Sequence, residues 1–124
     1  MAIVKLEDVP VVLTEDGRWQ ALNGPLGLTA FGINAFNTDI GEDTDSAHDE
    51  SASGQQELYI VVAGRALITV GSEQHEAGVG TLVSAPDPAV TRSFRALEDG
   101  TRIVCLGGLP GSGDEGYGSW VVPV

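Results

Sequence analysis

Apolar residues along this chain fall into short, turn-bounded runs, several of them alternating with polar residues, and no long stretch repeats at helical spacing. VPVVL (Val9 to Leu13) predicts a short strand, followed by the turn EDG and the segment RWQAL. LGLTAFGINAF (Leu26 to Phe36) predicts the first strong strand, rich in β-branched and aromatic residues, with Gly27 and Gly32 as bends or bulges. ELYIVVAG (Glu57 to Gly64) is apolar almost throughout, which predicts a strand buried on both faces. RALITV and EQHEAG flank Gly71-Ser72, the signature of a two-residue hairpin with glycine first. GTLVSAP is stopped by Pro86 and Pro88, neither of which can continue a ladder. AVTRSFRAL alternates, a second EDG turns, and TRIVCLGG predicts the last long strand before a glycine-rich tail that ends in apolar residues around Trp120. Six to eight short strands at near-regular spacing imply an all-β sandwich or barrel with no helix longer than about three turns.

Composition narrows the setting. With 124 residues the chain is expected to form one domain with a real core, and its 17 glycines and 6 prolines are spread as turns require. A single cysteine, Cys105, excludes an internal disulfide framework and suits a reducing cytoplasm. The opening MAIVKLEDVP has neither the charge pattern nor the apolar run of a signal peptide or membrane span, so a cytoplasmic protein is expected. Eighteen acidic residues against six basic ones give a formal charge of -12, which repels nucleic-acid phosphates and anionic lipid. Six of the acids fall between Asp39 and Glu50 without the spacing of an EF-hand, which reads as a solvated loop.

Two blocks carry chemistry. Glu57 is followed after six residues by Gly64, and Gly80 after five by Pro86, with fifteen residues between Gly64 and Gly80. In order, spacing and intervening hairpin they resemble the two conserved motifs of the cupin superfamily. The chain is similar to small bacterial cupin-domain proteins over most of residues 26 to 120, in LGLTAFGINAF, HDE, QQELYIVVAGRALITV, PDPAVTRSFRALEDGTRIVCLGG and the late SW. The resemblance implies a cupin-type jelly-roll β-barrel, its core at about residues 26–110, with a pocket in the barrel mouth and the terminal segments packed on the barrel or on a partner. It also implies where metal ligands would stand. The two first-motif histidine positions fall on Ser51 and Ser53, or on Glu50 and Ala52 with a longer loop, and the second-motif histidine falls on Thr91. Of that set Glu57 alone survives, and hydroxyls are poor transition-metal ligands, so no three-histidine site and no cofactor are expected.

The family pattern points Glu57 into the barrel, where it is a candidate general base or ligand acceptor, or a structural carboxylate paired with an arginine. His48, just before the motif strand, is the candidate second catalytic residue; an exposed loop position is its plainer reading, and still more so for His75. Tyr59 and Val61 share a strand face with Glu57 and are candidate ligand-binding residues, as are Thr91 and Ser93 on the opposite wall. Asn34, a further candidate ligand-binding residue, stands mid-strand among apolar neighbours and if buried needs a partner, either a ligand or another strand. Arg92 and Arg95 suit either an anionic ligand or the surface, and Cys105 a small core position.

Two functions follow. The first is a small-molecule-binding cupin with a preformed pocket and no metal. The second is a small cupin isomerase, cyclase or lyase using Glu57 with His48 for proton transfer, a variant of which holds a divalent metal on His48, Glu50 or Asp49, and Glu57. A homodimer is expected through the apolar segments VPVVL and WVVPV.

Overall fold

The alternating segments form two facing antiparallel sheets. The computed structural model describes residues 1–15, 17–42 and 47–111. Its strands are β1 (Val12–Thr14), β2 (Gly17–Ala21), β3 (Gly32–Thr38), β4 (Gln56–Ala63), β5 (Arg65–Val70), β6 (Glu73–Gly78), β7 (Leu82–Ala85), β8 (Arg92–Ala96) and β9 (Thr101–Gly108), with one short helix, α1 (Asn23–Leu26). A six-stranded sheet runs β1-β2-β3-β9-β4-β7 and faces a three-stranded sheet β6-β5-β8. This is an all-β architecture of two facing antiparallel sheets, as the resemblance implied. No described helix is long and apolar enough to cross a membrane.

Period-two alternation sends one face of each strand into the space between the sheets. Tyr59, Val61, Ile103 and Cys105 enter from the large sheet, and Ala66, Ile68, Phe94 and Ala96 from the small one. The outer face of the large sheet has its own cover. Val4, Leu6, Val9, Leu22 and Leu26 pack over Ile33, Ala35 and Val104. Buried Gln20 holds that cover down, its Nε2 donating to the carbonyls of Leu6 (2.6 Å) and Val9 (3.0 Å).

Three expectations change. VPVVL is not one strand: Val9 closes a 3-10 turn (Leu6–Asp8), and pairing starts at Val12. Leu26–Phe36 is not one strand either. Asn23, Gly24, Pro25 and Leu26 form α1, and Gly27 ends it in the left-handed region (φ 67°) as a C-cap. Asn23 then occupies the loop, donating to the carbonyls of Leu28 (2.9 Å) and Phe31 (2.6 Å) and accepting the Ile33 N–H (2.9 Å), so β3 begins only at Gly32. Strand β4 is buried on one face only, because Val62 and its outward neighbours lack a full cover. The hairpin matches its sequence: Gly71 (φ 61°) takes the first turn position between β5 and β6. Of the segments expected at a dimer interface, Val11, Val12 and Leu13 are exposed, and WVVPV lies outside the described residues.

Gly64 joins the two sheets between β4 and β5. Its φ is 71°, and a Cβ there would stand 2.8 Å from the Thr101 Cα and overlap the Thr101 hydroxyl. That hydroxyl already bridges the Arg65 N–H (3.2 Å) and the carbonyls of Arg65 (2.9 Å) and Glu98 (2.7 Å). Gly64→Ala therefore combines a left-handed alanine with overpacking. It is expected to lower stability by about 2–5 kcal/mol, read as a shift of the urea midpoint, and an unchanged midpoint would contradict the packing described.

Candidate functional site

Register across the large sheet lays the floor of the site in three rows. Gly32, Gly107, Glu57 and Ala85 form the first, at the open end. Asn34, Cys105, Tyr59 and Val83 form the second, and Trp19, Phe36, Ile103 and Val61 the third. Two adjacent glycines in the first row leave space beside the Glu57 carboxylate. At Gly107 a Cβ would stand 2.7 Å from the Gln55 Oε1, so a side chain there would displace the Gln55 amide from the cavity. The resulting cavity, about 360 Å³, has a polar end of Asn34, His48, Glu50, Gln55 and Glu57 and an aromatic end of Trp19, Phe36, Tyr59 and Phe94. Trp19 meets Phe36 edge-on at 4.8 Å, and Phe94 packs on both Phe36 and Tyr59. An aromatic wall facing a polar one suits a small ligand with an apolar body and a polar head.

Glu57 points inward beside Tyr59, with its side chain 11% exposed. Its Oε1 accepts from the Tyr59 hydroxyl at 3.2 Å, and its Oε2 from the Cys105 thiol at 3.3 Å. Both donors come from the second row, so the sheet itself aims the carboxylate. His48 arrives on the loop before β4. A single β-bridge fixes it to β8: its N–H donates to the Arg92 carbonyl at 3.1 Å, and the Arg92 N–H donates back at 2.8 Å. Glu50 follows two residues later, its N–H on the Pro88 carbonyl at 2.8 Å and its Oε2 accepting from the Ser53 hydroxyl at 2.6 Å. His48 Nε2 thereby lies 3.4 Å from Glu50 Oε1 and 3.7 Å from Glu57 Oε1.

These three donors, one from each residue, lie within 4.8 Å of one another. Ligands held at about 2.1 Å from a tetrahedral ion stand about 3.4 Å apart, so small side-chain rotations suffice to enclose a cation. One imidazole and two carboxylates form a donor set suited to Zn, Mn or Fe. Asp49, the alternative to Glu50, is committed elsewhere: it accepts the Ser51 N–H at 3.0 Å, which holds its carboxyl below the usual range. Ser51 and Ser53, where motif spacing placed the histidines, stand in the turn between Glu50 and Glu57 and face solvent. His48 and Glu50, the latter a position reached by the longer-loop count, converge on Glu57 instead.

Two of the other candidates are turned the wrong way. Thr91 precedes β8 and is exposed, and Ser93 lies on the outward face; Arg92 and Phe94 enter the barrel. A strand face is decided by a one-residue phase, and apolar Phe94 and Ala96 carried the correct one. Val61 faces inward but lies in the core below the cavity. Asn34 and Tyr59 line the cavity; Arg95 and His75 are exposed. Sequence reasoning passed over Trp19, Phe36, Gln55 and Phe94 as lining residues, and it gave Cys105 a core place without its bond to Glu57.

No family model matches the chain. It is 31% identical over 70 residues to an uncharacterised protein of Streptomyces coelicolor, an alignment spanning 56% of this chain and 66% of that protein, just under two thirds of its length. Among solved structures, a cupin protein from Bacteroides fragilis superposes with a TM-score of 0.69 at 22% identity, over 94% of this chain and 98% of that one. A putative sugar phosphate isomerase from Acidithiobacillus ferrooxidans superposes with a TM-score of 0.61 at 17% identity, over 86% and 75%. At these identities the likeness shows the cupin fold.

Burial, with the Glu57 carboxylate beside it, pushes the Cys105 thiol well above its ordinary 9.0. In the unfolded chain that thiol ionises near its ordinary value, so above about pH 9 the folded state holds the extra proton and stability falls as pH rises. The metal-free protein is expected to lose up to about 1.4 kcal/mol per pH unit from this group. Cys105→Ser should remove that part of the loss. Urea midpoints at pH 7 and pH 10 compare the two proteins, and equal losses would contradict the assignment.

Proposed function

We propose that this cupin-fold chain binds a small molecule in the barrel mouth, at a site where His48, Glu50 and Glu57 hold a divalent cation. The observation that carries the reading is the convergence of three donor atoms within 4.8 Å at the polar end of the cavity. A cation held there would act as a Lewis acid toward a carbonyl or carboxylate oxygen of the ligand. The chain's own residues do the rest. Tyr59 and Cys105 fix the Glu57 carboxylate from below, and the backbone bridge to Arg92 fixes His48 from the side. Asn34 and Gln55 offer amides to a polar head, while Trp19, Phe36 and Phe94 exclude water from the ligand's body.

A second reading, proton transfer by Glu57 with His48, is favoured by their 3.7 Å approach at the cavity's polar end. The solved neighbour described as a putative sugar phosphate isomerase supports enzyme activity on this fold without naming a substrate for this chain. Glu57→Gln keeps the shape and removes the ionisable group, so it abolishes turnover under this reading and leaves ligand binding.

Isothermal titration of metal-free protein with Mn2+ or Zn2+ is expected to show one ion per chain. His48→Ala and Glu50→Gln should each weaken it at least about tenfold, the scale of losing a ligand or its support. Unaltered affinity in both variants, or no binding by the native chain, would remove the cation from the proposal.

A further inference from the structure

Behind the donor triad stands a fully buried arginine that the site's own chemistry does not use. Arg92 is 0% exposed, although it is the first residue of β8 and opens the strand that His48 is bridged to. Its Nη2 donates to the carbonyls of Asp87 (3.1 Å) and Ala85 (3.4 Å). Its Nε and Nη1 have no hydrogen-bond partner among the described residues, and Nη1 faces Glu57 Oε1 at 3.7 Å. A buried guanidinium with two unsatisfied donors is costly, and the Glu57 carboxylate is the anion placed to offset it. The same oxygen, Oε1, is also the nearer one to His48.

We propose that Arg92 is a positioning residue of this site: it is the internal counter-ion of Glu57, and its charge holds down the affinity of the triad for a cation. The inference rests on the cation reading above. Glu50 and Glu57 bring two negative charges to the donor cluster, and Arg92 returns one positive charge from behind. A cation entering the triad meets a guanidinium that competes for Glu57 Oε1 and repels it at short range in a poorly solvated place. The arrangement keeps the site charge-compensated when no cation is bound and makes cation binding reversible instead of permanent. The backbone N–H and C=O of Arg92 hold His48, so substitution of its side chain leaves that support in place.

The test titrates metal-free protein with Mn2+ alone. Arg92→Met, which keeps bulk and loses charge, is expected to bind Mn2+ at least about tenfold more tightly than the native chain. Arg92→Lys, which keeps the charge, should fall much nearer the native affinity, a rescue that a purely structural role would not produce. Native binding with equal or weaker binding in Arg92→Met would overturn this inference and leave the cation reading standing. Binding by neither protein would overturn both. If Arg92→Met does not fold, the Arg92→Met/Glu57→Gln double variant, which removes both charges, is expected to fold. A double variant as unfolded as the single one would overturn the pairing.

Discussion

Strand β9 lies between β3 and β4, and its register with both decides which side chains enter the barrel. These pairings join residues far apart in the chain, Gly32 with Gly107 and Glu57 with Gly107. A slip of one residue would turn Cys105 and Ile103 outward and bring Val104 and Leu106 in. The cavity exists because that register puts two glycines beside Glu57 at the mouth and aromatic residues two rows deeper. Gly64 carries the chain from the large sheet to the small one at a positive φ of 71°, packed directly against Thr101.

From that constraint the electrostatics follow. Strand β4 delivers Glu57 to the mouth, β8 delivers Arg92 facing it, and the backbone of Arg92 draws in the loop that carries His48 and Glu50. One arginine thus does two things through different parts: its main chain positions an imidazole, and its guanidinium confronts a carboxylate. Neither group is at the protein surface, where a pair of this kind would contribute little. The wider acidity of the chain adds a negative field around the molecule that attracts cations and repels anions.

Much of this fold was legible in the sequence. The spacing of Glu57, Gly64, Gly80 and Pro86 located the strands around the hairpin, and Gly71-Ser72 located its turn. The phase of Glu57 came from the motif resemblance, because ELYIVVAG is apolar almost throughout, and that of Tyr59 followed by period-two alternation from Glu57. What failed has a physical cause in each case. Leu26 to Phe36 has strand composition throughout, but the side chain of Asn23 takes the backbone groups that would have extended the pairing. Ser51 and Ser53 were reached by counting back from Glu57, whereas the longer-loop count reached Glu50, which lies beside Glu57. Thr91 was placed by the second-motif count and Ser93 by sharing its phase, although β8 buries a charge, Arg92, on the face shared with Phe94. Strand propensity does not register such a burial, because its partner, Glu57, lies in another sheet.

In the proposed site His48, Glu50 and Glu57 close on one cation at the mouth of the barrel, with Arg92 behind Glu57. An anomalous-difference map from crystals grown with Mn2+ tests it most directly. One strong peak is expected within about 2.3 Å of His48 Nε2 and a Glu57 oxygen, with Arg92 still buried behind that carboxylate. A peak elsewhere on the acidic surface with none at the triad, or Glu57 turned out to solvent, would contradict it.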